Sequence, residues 1–321
     1  MNVSMIICTN NRPEELAICL HSMEAQISKP YEVIIVDDDL PNQTAEPVAK
    51  EFIRHGKLKI NYIINNYGVK WPATRNIGVR AAAADIFAFI DDDVILPPNW
   101  LTEIIKCYEE TGADGVGGCT YNLIPFTDGN SSKTPFADGF SYRFISAIRP
   151  LFFYHKLGKL NPLGFAWAPV NLPVNRYKPV DYFLGSNMTF RREVFRLYEF
   201  DASYQGTGYA DELDFCTKLT RQGKKRLVYS PQAVAIHARV QSGGARMPDR
   251  LYWLFRNHTL YLLKNFNLRY FRVGMLAFLV SIYSLFTLKP TYVKAIRDGI
   301  RQYRSSSKAL GTKGKIEGSF Q

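Results

Sequence analysis

The chain has 321 residues, of which 46% are apolar and 14% aromatic, enough for a large buried core. This composition excludes collagen-like, disordered and disulfide-scaffold proteins. The net charge of +11 is uneven, because residues 1–217 hold 26 acidic and 20 basic side chains, whereas residues 218–321 hold three acidic and 20 basic ones. The five cysteines are scattered without a C-x-x-C pair, and the N-terminus lacks a basic leader. We therefore expect a reduced, cytosol-facing protein without a zinc site.

The first 121 residues alternate between short apolar runs and segments with helical spacing. The predicted strands are residues 3–8, 32–37, 58–64, 86–90 and 115–121, and the predicted helices are residues 14–27, 43–56, 73–84 and 98–110. Continuous apolar strands that alternate with helices predict an α/β fold with a mostly parallel, Rossmann-like sheet and helices on both faces. Sheets of this kind bind ligands beyond the carboxyl ends of their strands.

The periodicity fades over residues 122–182, an aromatic-rich stretch that includes Trp167. Such a stretch is either a functional lid or substrate wall, or a helical insertion whose aromatic side chains are core. Regular patterns return with a predicted strand at residues 182–190, a helix at 211–223 and a strand at 233–240. Beyond residue 244 the chain is helical and basic.

Three predicted strands end in polar runs, at residues 9–12 (TNNR), 37–39 (DDD) and 91–93 (DDD). Asp91 and Asp93 are two positions apart, so in extended chain their carboxylates project to the same side and could clamp one hard cation such as Mg²⁺ or Mn²⁺. The alternative is that acidic side chains follow a strand only because loops are polar.

The flanks of these acids resemble the D-x-D segment of family 2 glycosyltransferases, which have the GT-A fold. Four other stretches resemble that family's motifs in the same order, so that the resemblance spans residues 3–240. The matching stretches are residues 6–12 (IICTNNR), 33–38 (VIIVDD), 73–78 (ATRNIG), 87–94 (FAFIDDDV), and 185–192 (GSNMTFRR) with 211–215 (DELDF).

The resemblance implies an inverting, metal-dependent transfer of a sugar from a nucleoside diphosphate sugar to a hydroxyl group. It assigns a Mg²⁺ or Mn²⁺ ion to Asp91, Asp93 and His237, although His237 alone could be an ordinary strand histidine. It assigns Asn187 to the acceptor side, and Trp167 of the aromatic stretch is a further candidate acceptor residue. The implied donor-nucleotide residues are Thr9, Asn10, Arg12, Asp37, Asp38, Arg75 and Asp92. Arg12 and Arg75 could instead be salt-bridge residues at helix starts.

The resemblance also implies a catalytic base at the second acid of the family's E-D-x-D motif. That position is Glu212 in this chain, with Asp211 before it, so the order of the two acid types is reversed. We favour Glu212 as the base, while Asp211 stays the alternative. Asp214 is interpreted as a structural acid near a helix N-terminus.

The chain is therefore divided into a nucleotide-sugar-binding half (residues 1–121), an acceptor and catalytic-base half (122–244) and a C-terminal helical extension (245–321). The extension holds an uncharged run of 16 residues, 273–288, between basic clusters. A helix of that length reaches about 24 Å, less than the roughly 30 Å of a bilayer core, so an in-plane segment is favoured over a spanning one. The alternative is a helix packed on the catalytic domain. We expect a cytoplasmic protein held peripherally on the inner face of the cell membrane by these helices.

Two other functions fit these patterns less well. A nucleotidyltransferase shares a related architecture but needs a glycine-rich, basic first loop, which residues 9–13 (TNNRP) do not form. A nucleic-acid-binding protein would explain the basic C-terminal third but not the three acidic strand ends. The expected partners are thus a nucleotide sugar, a glycan or lipid-linked acceptor and a membrane surface, and no nucleic acid.

Overall fold

The computed structural model describes residues 1–40, 42–66, 71–122, 158–161, 164, 166, 169, 171–206, 208–238, 247–287 and 290–317. Nine strands lie within these residues: β1 (Val3–Thr9), β2 (Glu32–Asp37), β3 (Ile60–Ile64), β4 (Ile86–Asp91), β5 (Val94–Ile95), β6 (Gly115–Asn122), β7 (Lys178–Val180), β8 (Asn187–Arg191) and β9 (Leu227–His237). The α-helices in the same ranges are α1 (Pro13–Glu24), α2 (Glu46–His55), α3 (Trp71–Ala81), α4 (Trp100–Thr111), α5 (Asp211–Thr217), α6 (Met247–Asn265), α7 (Arg269–Thr287) and α8 (Thr291–Glu317).

The strands form one mixed sheet with the order β3-β2-β1-β4-β8-β6-β9-β5, and β7 pairs with β9. Neighbours from β3 to β4 are parallel, β8 is antiparallel to both β4 and β6, and β6 is parallel to β9. Six of the nine described strands therefore run in one direction, and the predicted mostly parallel sheet is confirmed.

The sequence pattern did not predict β5 or β7, because strands of two and three residues are too short to show alternation. It also started one strand at residue 182 where β8 starts at Asn187, and another at residue 233 where β9 starts at Leu227. The predicted helix at 211–223 is two pieces, α5 and a π-helical turn over Lys218–Gln222.

Two hydrophobic clusters cover the two faces of the sheet. One face packs against α1, α2 and α4 through side chains such as Leu16, Phe52 and Trp100. The other face packs against α3 and α5, and its cluster continues into α6, α7 and α8. Because both faces are covered, β1, β2 and most of β4 are buried along their length, as their continuous apolar sequences predict.

The C-terminal helices are attached to the second half of the chain by polar contacts as well as by this cluster. Lys264 Nζ donates to Asp201 Oδ2 (2.5 Å), Asn265 Nδ2 donates to Asp214 Oδ1 (2.6 Å), and the hydroxyls of Tyr261 and Thr217 lie 3.1 Å apart. The end of α6 is therefore bonded directly to α5 and to the segment before it. Among the helices in the described ranges, none combines the length and the apolar character needed to cross a membrane.

Candidate active site

Two carboxylates and one imidazole meet at the carboxyl end of β4. Asp91 ends β4 and Asp93 follows it, while the antiparallel pairing of β5 with β9 sets Val94 opposite His237. His237 Nε2 lies 3.0 Å from Asp93 Oδ1 and 4.0 Å from Asp91 Oδ2, and one ligand atom from each of the three residues falls within 4.8 Å of the others. Two carboxylate oxygens with one imidazole nitrogen suit a divalent cation, and Mn²⁺ accepts both donor types. The donor set fits the ion implied by the sequence.

Two side chains at the end of β1 hold Asp92 and Asp93 in place. Arg12 Nη1 lies 3.0 Å from Asp92 Oδ1 and 3.3 Å from Asp93 Oδ2, and Thr9 Oγ1 donates to Asp92 Oδ2 (2.9 Å). Burial raises the pKa of Asp92 to about 7 against the opposing charge of Arg12. Burial acts in the same direction on Asp93, but His237 and Arg12 outweigh it and lower its pKa. Asp93 therefore offers a negative charge at the cation site.

The acids at the end of β2 accept hydrogen bonds from neighbouring residues of the fold. Asp37 accepts hydrogen bonds from the Tyr62 hydroxyl (2.7 Å) and from the backbone N–H of Asp39 (2.8 Å). Asp38 accepts from Asn65 Nδ2 (2.5 Å) and, through both carboxylate oxygens, from Thr74 Oγ1 (2.7 and 3.0 Å). These bonds fix the loop beside β1, where the Asn10 side chain donates to the Asp38 carbonyl (3.4 Å). A direct contact of these residues with the donor nucleotide stays a prediction.

The paired acids begin α5, on the other side of the site. Ala210, with a left-handed φ of 71°, turns the chain into the helix, so that Asp211 and Glu212 lie in its first turn. Arg75 of α3 forms an ion pair with Asp211. The charge of Arg75 also acts on Glu212 and on Asp91, so its guanidinium is near both the paired acids and the acids after β4. The sheet thus brings residues from both halves of the chain to one edge.

Glu212 is half-buried, whereas Asp211 is 2% exposed. Burial, the charge of Asp211 and a hydrogen bond between the two carboxyls raise the pKa of Glu212 well above its usual range, and Arg75 opposes this shift. A carboxyl group with a raised pKa is a stronger proton acceptor once it is ionised. This geometry brings a ligand set suited to a divalent cation and a carboxyl group with a raised pKa near one arginine, Arg75.

The fold agrees with the comparison to known proteins. The model of the Glycosyl transferase family 2 matches residues 4–198. The chain belongs to this family. A glucosyl-dolichyl phosphate glucuronosyltransferase of Haloferax volcanii is 26% identical over 245 residues, which cover 74% of this chain and 69% of the relative.

Solved structures of GT-A glycosyltransferases have the same fold. The structure of S. aureus TarS 1–349 in complex with UDP-GlcNAc has a TM-score of 0.56 at 19% identity, with 94% of this chain and 82% of that chain covered. The mannosyltransferase of Pyrobaculum calidifontis in complex with GDP-Man and Mn²⁺ has a TM-score of 0.55 at 16% identity, with 100% and 81% covered. The GT-A architecture expected from the sequence is therefore confirmed.

The structure of this family 2 glycosyltransferase corrects one of the expected acceptor residues. Asn187 is 1% exposed and lies within the sheet opposite Ile90. Its Nδ2 donates to the carbonyls of Cys119 (3.1 Å) and Ala233 (3.3 Å), and its Oδ1 accepts from Trp100 Nε1 (3.0 Å). The amide is used to join β8 to β6, β9 and α4, so Asn187 supports the site instead of facing an acceptor. Trp167 lies outside the described residues.

Two residues that shape the site of this glycosyltransferase were given no role in the sequence analysis. Asn65 follows β3 at the same edge as Asp38, so the rule that pointed to the other strand ends could have found it. Gly185 belongs to one of the matching motifs, and a Cβ at this position would lie 2.8 Å from Arg75 Nη2 and 3.9 Å from Glu212 Cδ. Asp214, interpreted as structural, accepts from the Tyr204 hydroxyl (2.9 Å) and pairs with Lys218 (2.6 Å).

Proposed function

We propose that this family 2 glycosyltransferase moves a sugar from a nucleoside diphosphate sugar to a hydroxyl group of a glycan or lipid-linked acceptor, with inversion at the anomeric carbon. One observation carries the proposal: Arg75 pairs with Asp211 of α5 and its charge also acts on Asp91, so the proposed base and the proposed cation site lie close together. A sugar held between them has its leaving group on one side and its attacking hydroxyl on the other.

Asp91, Asp93 and His237 would hold a divalent cation, Mn²⁺ or Mg²⁺. When bound, the ion supplies positive charge against the diphosphate that leaves. Arg12 and Thr9 bind the carboxylate of Asp92, which lies between the two acidic ligands in the sequence, and the Arg12 guanidinium also contacts Asp93. These contacts hold the ligand atoms in position before the donor binds, which reduces the reorganisation needed during the reaction.

Glu212 would accept the proton of the acceptor hydroxyl. The hydroxyl oxygen forms a bond to the anomeric carbon, the bond from that carbon to the diphosphate oxygen breaks, and the proton passes to the Glu212 carboxylate. Displacement in one step from the opposite face inverts the anomeric centre. The half-buried Glu212 and its raised pKa support this role over Asp211, which is paired with Arg75.

A lipid-linked acceptor is the finer part of the proposal. The relative from Haloferax volcanii is named for a dolichyl phosphate substrate, which supports an acceptor of that class. The C-terminal helices offer a surface for the membrane in which such an acceptor would reside. The described side chains of α7 leave large apolar groups exposed, with Phe271 at 61%, Phe278 at 66% and Leu285 at 75%.

Exposed cations accompany this apolar face, which favours an anionic bilayer as its partner. Lys294, Arg297, Arg301 and Arg304 recur at helical spacing along the exposed side of α8. Arg269 at the start of α7 lies 5.4 Å from the ring centre of Tyr303, the residue before Arg304, so the start of α7 contacts α8 next to one of these cations. Apolar insertion with basic attraction is the usual two-part attachment of a peripheral protein. We infer a position on the inner face of the cell membrane.

A panel of nucleotide sugars tests the chemistry. Release of nucleoside diphosphate is measured with Mn²⁺, Mg²⁺ or EDTA, with and without membrane lipid extract, and the anomeric configuration of the product is determined by NMR. We expect cation-dependent release that lipid extract stimulates, and an inverted product. Full turnover in EDTA would remove the cation from the reaction, and a retained configuration would refute direct displacement.

Glu212→Gln in the same assay tests the base. The substitution keeps the shape of the side chain and removes the proton acceptor, so donor binding should persist while transfer falls on the order of 10²–10⁴-fold. A fully active Glu212→Gln enzyme would refute the proposed role of this residue.

A further inference from the structure

The guanidinium of Arg75 is enclosed by groups from both halves of the chain. Arg75 is 8% exposed and forms its ion pair with the buried Asp211. Its Cζ lies 5.5 Å from the ring centre of Phe200, within the range of a cation–π contact. Residue 185 is a glycine, and a Cβ at that position would come within 2.8 Å of Arg75 Nη2. The surrounding residues therefore fix both the position and the charge partner of this arginine.

The ion pair gives the two acids at the start of α5 different surroundings. The Asp211 carboxylate is buried and paired with Arg75, whose guanidinium also lies against Phe200 and close to Gly185. The neighbouring Glu212 is half-buried, on the side where Gly185 leaves space. The chain thus has one acid of the pair turned into the fold and one left accessible.

We propose that Arg75 is a positioning residue for proton transfer: its ion pair withdraws Asp211 from the reaction and fixes it beside Glu212, which alone accepts the proton of the acceptor. This inference rests on the proposed function, because it requires Glu212 to be the base. The expectation that Arg75 also binds the donor nucleotide stays a prediction, because the ion pair uses Nη1 and a guanidinium has five N–H donors.

The charges around Glu212 decide how each change would act on it. The titratable and charged groups that the structure describes near Glu212 are Asp211 and Cys216 on its own helix, Arg75 on α3, and Tyr182 in the segment before β8. Burial raises the pKa values of Cys216 and Tyr182, so both stay neutral at the pH of an assay. Asp211 and Arg75 are therefore the charges that act on Glu212, and they act in opposite directions.

The two partners of one ion pair should accordingly shift the pH profile in opposite directions. Transfer needs ionised Glu212, so kcat falls as the pH drops through its pKa. Asp211→Asn removes a negative neighbour and should move the acid limb of kcat to lower pH. Arg75→Met removes a positive neighbour and should move it to higher pH. Charges at this range shift a pKa by about one unit or more. Arg75→Lys keeps the charge and should retain the wild-type limb.

The experiment records kcat against pH at saturating donor and acceptor for these three variants and for Arg80→Met, an exposed arginine on the same helix. The control should keep the wild-type profile. Gly185→Ala should shift the limb in the same direction as Arg75→Met but by less, because the added Cβ displaces the guanidinium without removing its charge. Asp211→Asn is isosteric, so it preserves a test even where loss of Arg75 prevents folding.

Two results would overturn the inference. A fall in kcat in Asp211→Asn and Arg75→Met with an unmoved acid limb would mean that the ion pair only stabilises the fold. A shift of both limbs in the same direction would contradict the opposite action of the two charges. Failure of the proposed function is distinguished by Glu212→Gln, because that variant would then transfer sugar at the wild-type rate.

Discussion

Asp93 is the more enclosed of the two carboxylates at the cation site, with 4% of its side chain exposed against 34% for Asp91. Asp93→Asn keeps the size of the side chain and removes one negative ligand. We expect the affinity for Mn²⁺, measured by titration calorimetry without donor, to fall by at least about tenfold, since even residues behind metal ligands contribute 10- to 100-fold. Asp114→Asn is the control, because Asp114 pairs with Lys225 at the opposite end of the sheet. Equal affinities in both variants would show that Asp93 is not a ligand.

Individual residues were predictable where their role depends on local sequence. The carboxylates at the end of β4 follow an apolar run, and strand ends are where such sheets bind ligands, so the pattern alone pointed to them. The different surroundings of Asp211 and Glu212 come from Arg75, which is 136 positions away in the chain. No local pattern contains that contact, so the sequence favoured Glu212 through the family resemblance alone, and the different surroundings of the two acids required the fold.

At the scale of elements, the insertion of β8 between β4 and β6 is what the sequence did not provide. Its residues read as a strand, but antiparallel pairing with two distant strands depends on contacts that are far apart in the chain. Next to β8, the main chains of β6 and β9 also approach closely, because a Cβ at Gly118 of β6 would lie 2.0 Å from the carbonyl oxygen of Ala233 in β9. The strand therefore underlies the cation site, with Asn187 paired to Ile90 just before Asp91.

The amide of Asn187 should consequently matter for stability. Asn187→Ala removes the partner of the Trp100 indole N–H and of the carbonyls at Cys119 and Ala233. Leaving buried polar groups without partners costs about 2–3 kcal/mol, which chemical denaturation would measure as a lower free energy of unfolding. Asn61→Ala on the exposed side of β3 should leave it unchanged. If Asn187→Ala instead kept its stability and had a higher KM for the acceptor, the acceptor role expected from the sequence would be restored.

At the scale of the whole molecule, the C-terminal helices share a hydrophobic core with the α/β domain. Val273, Leu276 and Val280 of α7 and Tyr292 of α8 belong to the hydrophobic cluster that covers one face of the sheet. A chain truncated after Asn265 would lose α7 and α8 and expose this cluster. A loss of vesicle binding by that chain would therefore not distinguish membrane attachment from misfolding. The charge distribution of the sequence predicted an attachment surface. The division of α7 into a packed face and an exposed face required the structure.

Serine substitutions on the exposed face of α7 separate these two effects. Burying a phenylalanine or leucine side chain in a bilayer contributes about 1.5–3 kcal/mol, so the triple variant Phe271→Ser, Phe278→Ser and Leu285→Ser should lose most sedimentation with phosphatidylglycerol vesicles and keep its melting temperature. Leu197→Ser, at 79% exposure elsewhere on the protein, is the control and should bind normally.

The cations of α8 should act on the same attachment through charge. Replacing Arg297, Arg301 and Arg304 by glutamine should weaken binding to anionic vesicles by roughly 1 kcal/mol for each arginine near the surface, and should reduce the sensitivity of binding to salt. Wild-type protein should bind neutral phosphatidylcholine vesicles much less. Undiminished vesicle binding by both triple variants would show that these faces of α7 and α8 do not contact the membrane. Tight, salt-sensitive binding of an oligonucleotide that the glutamine variant loses would assign the cations to nucleic acid instead.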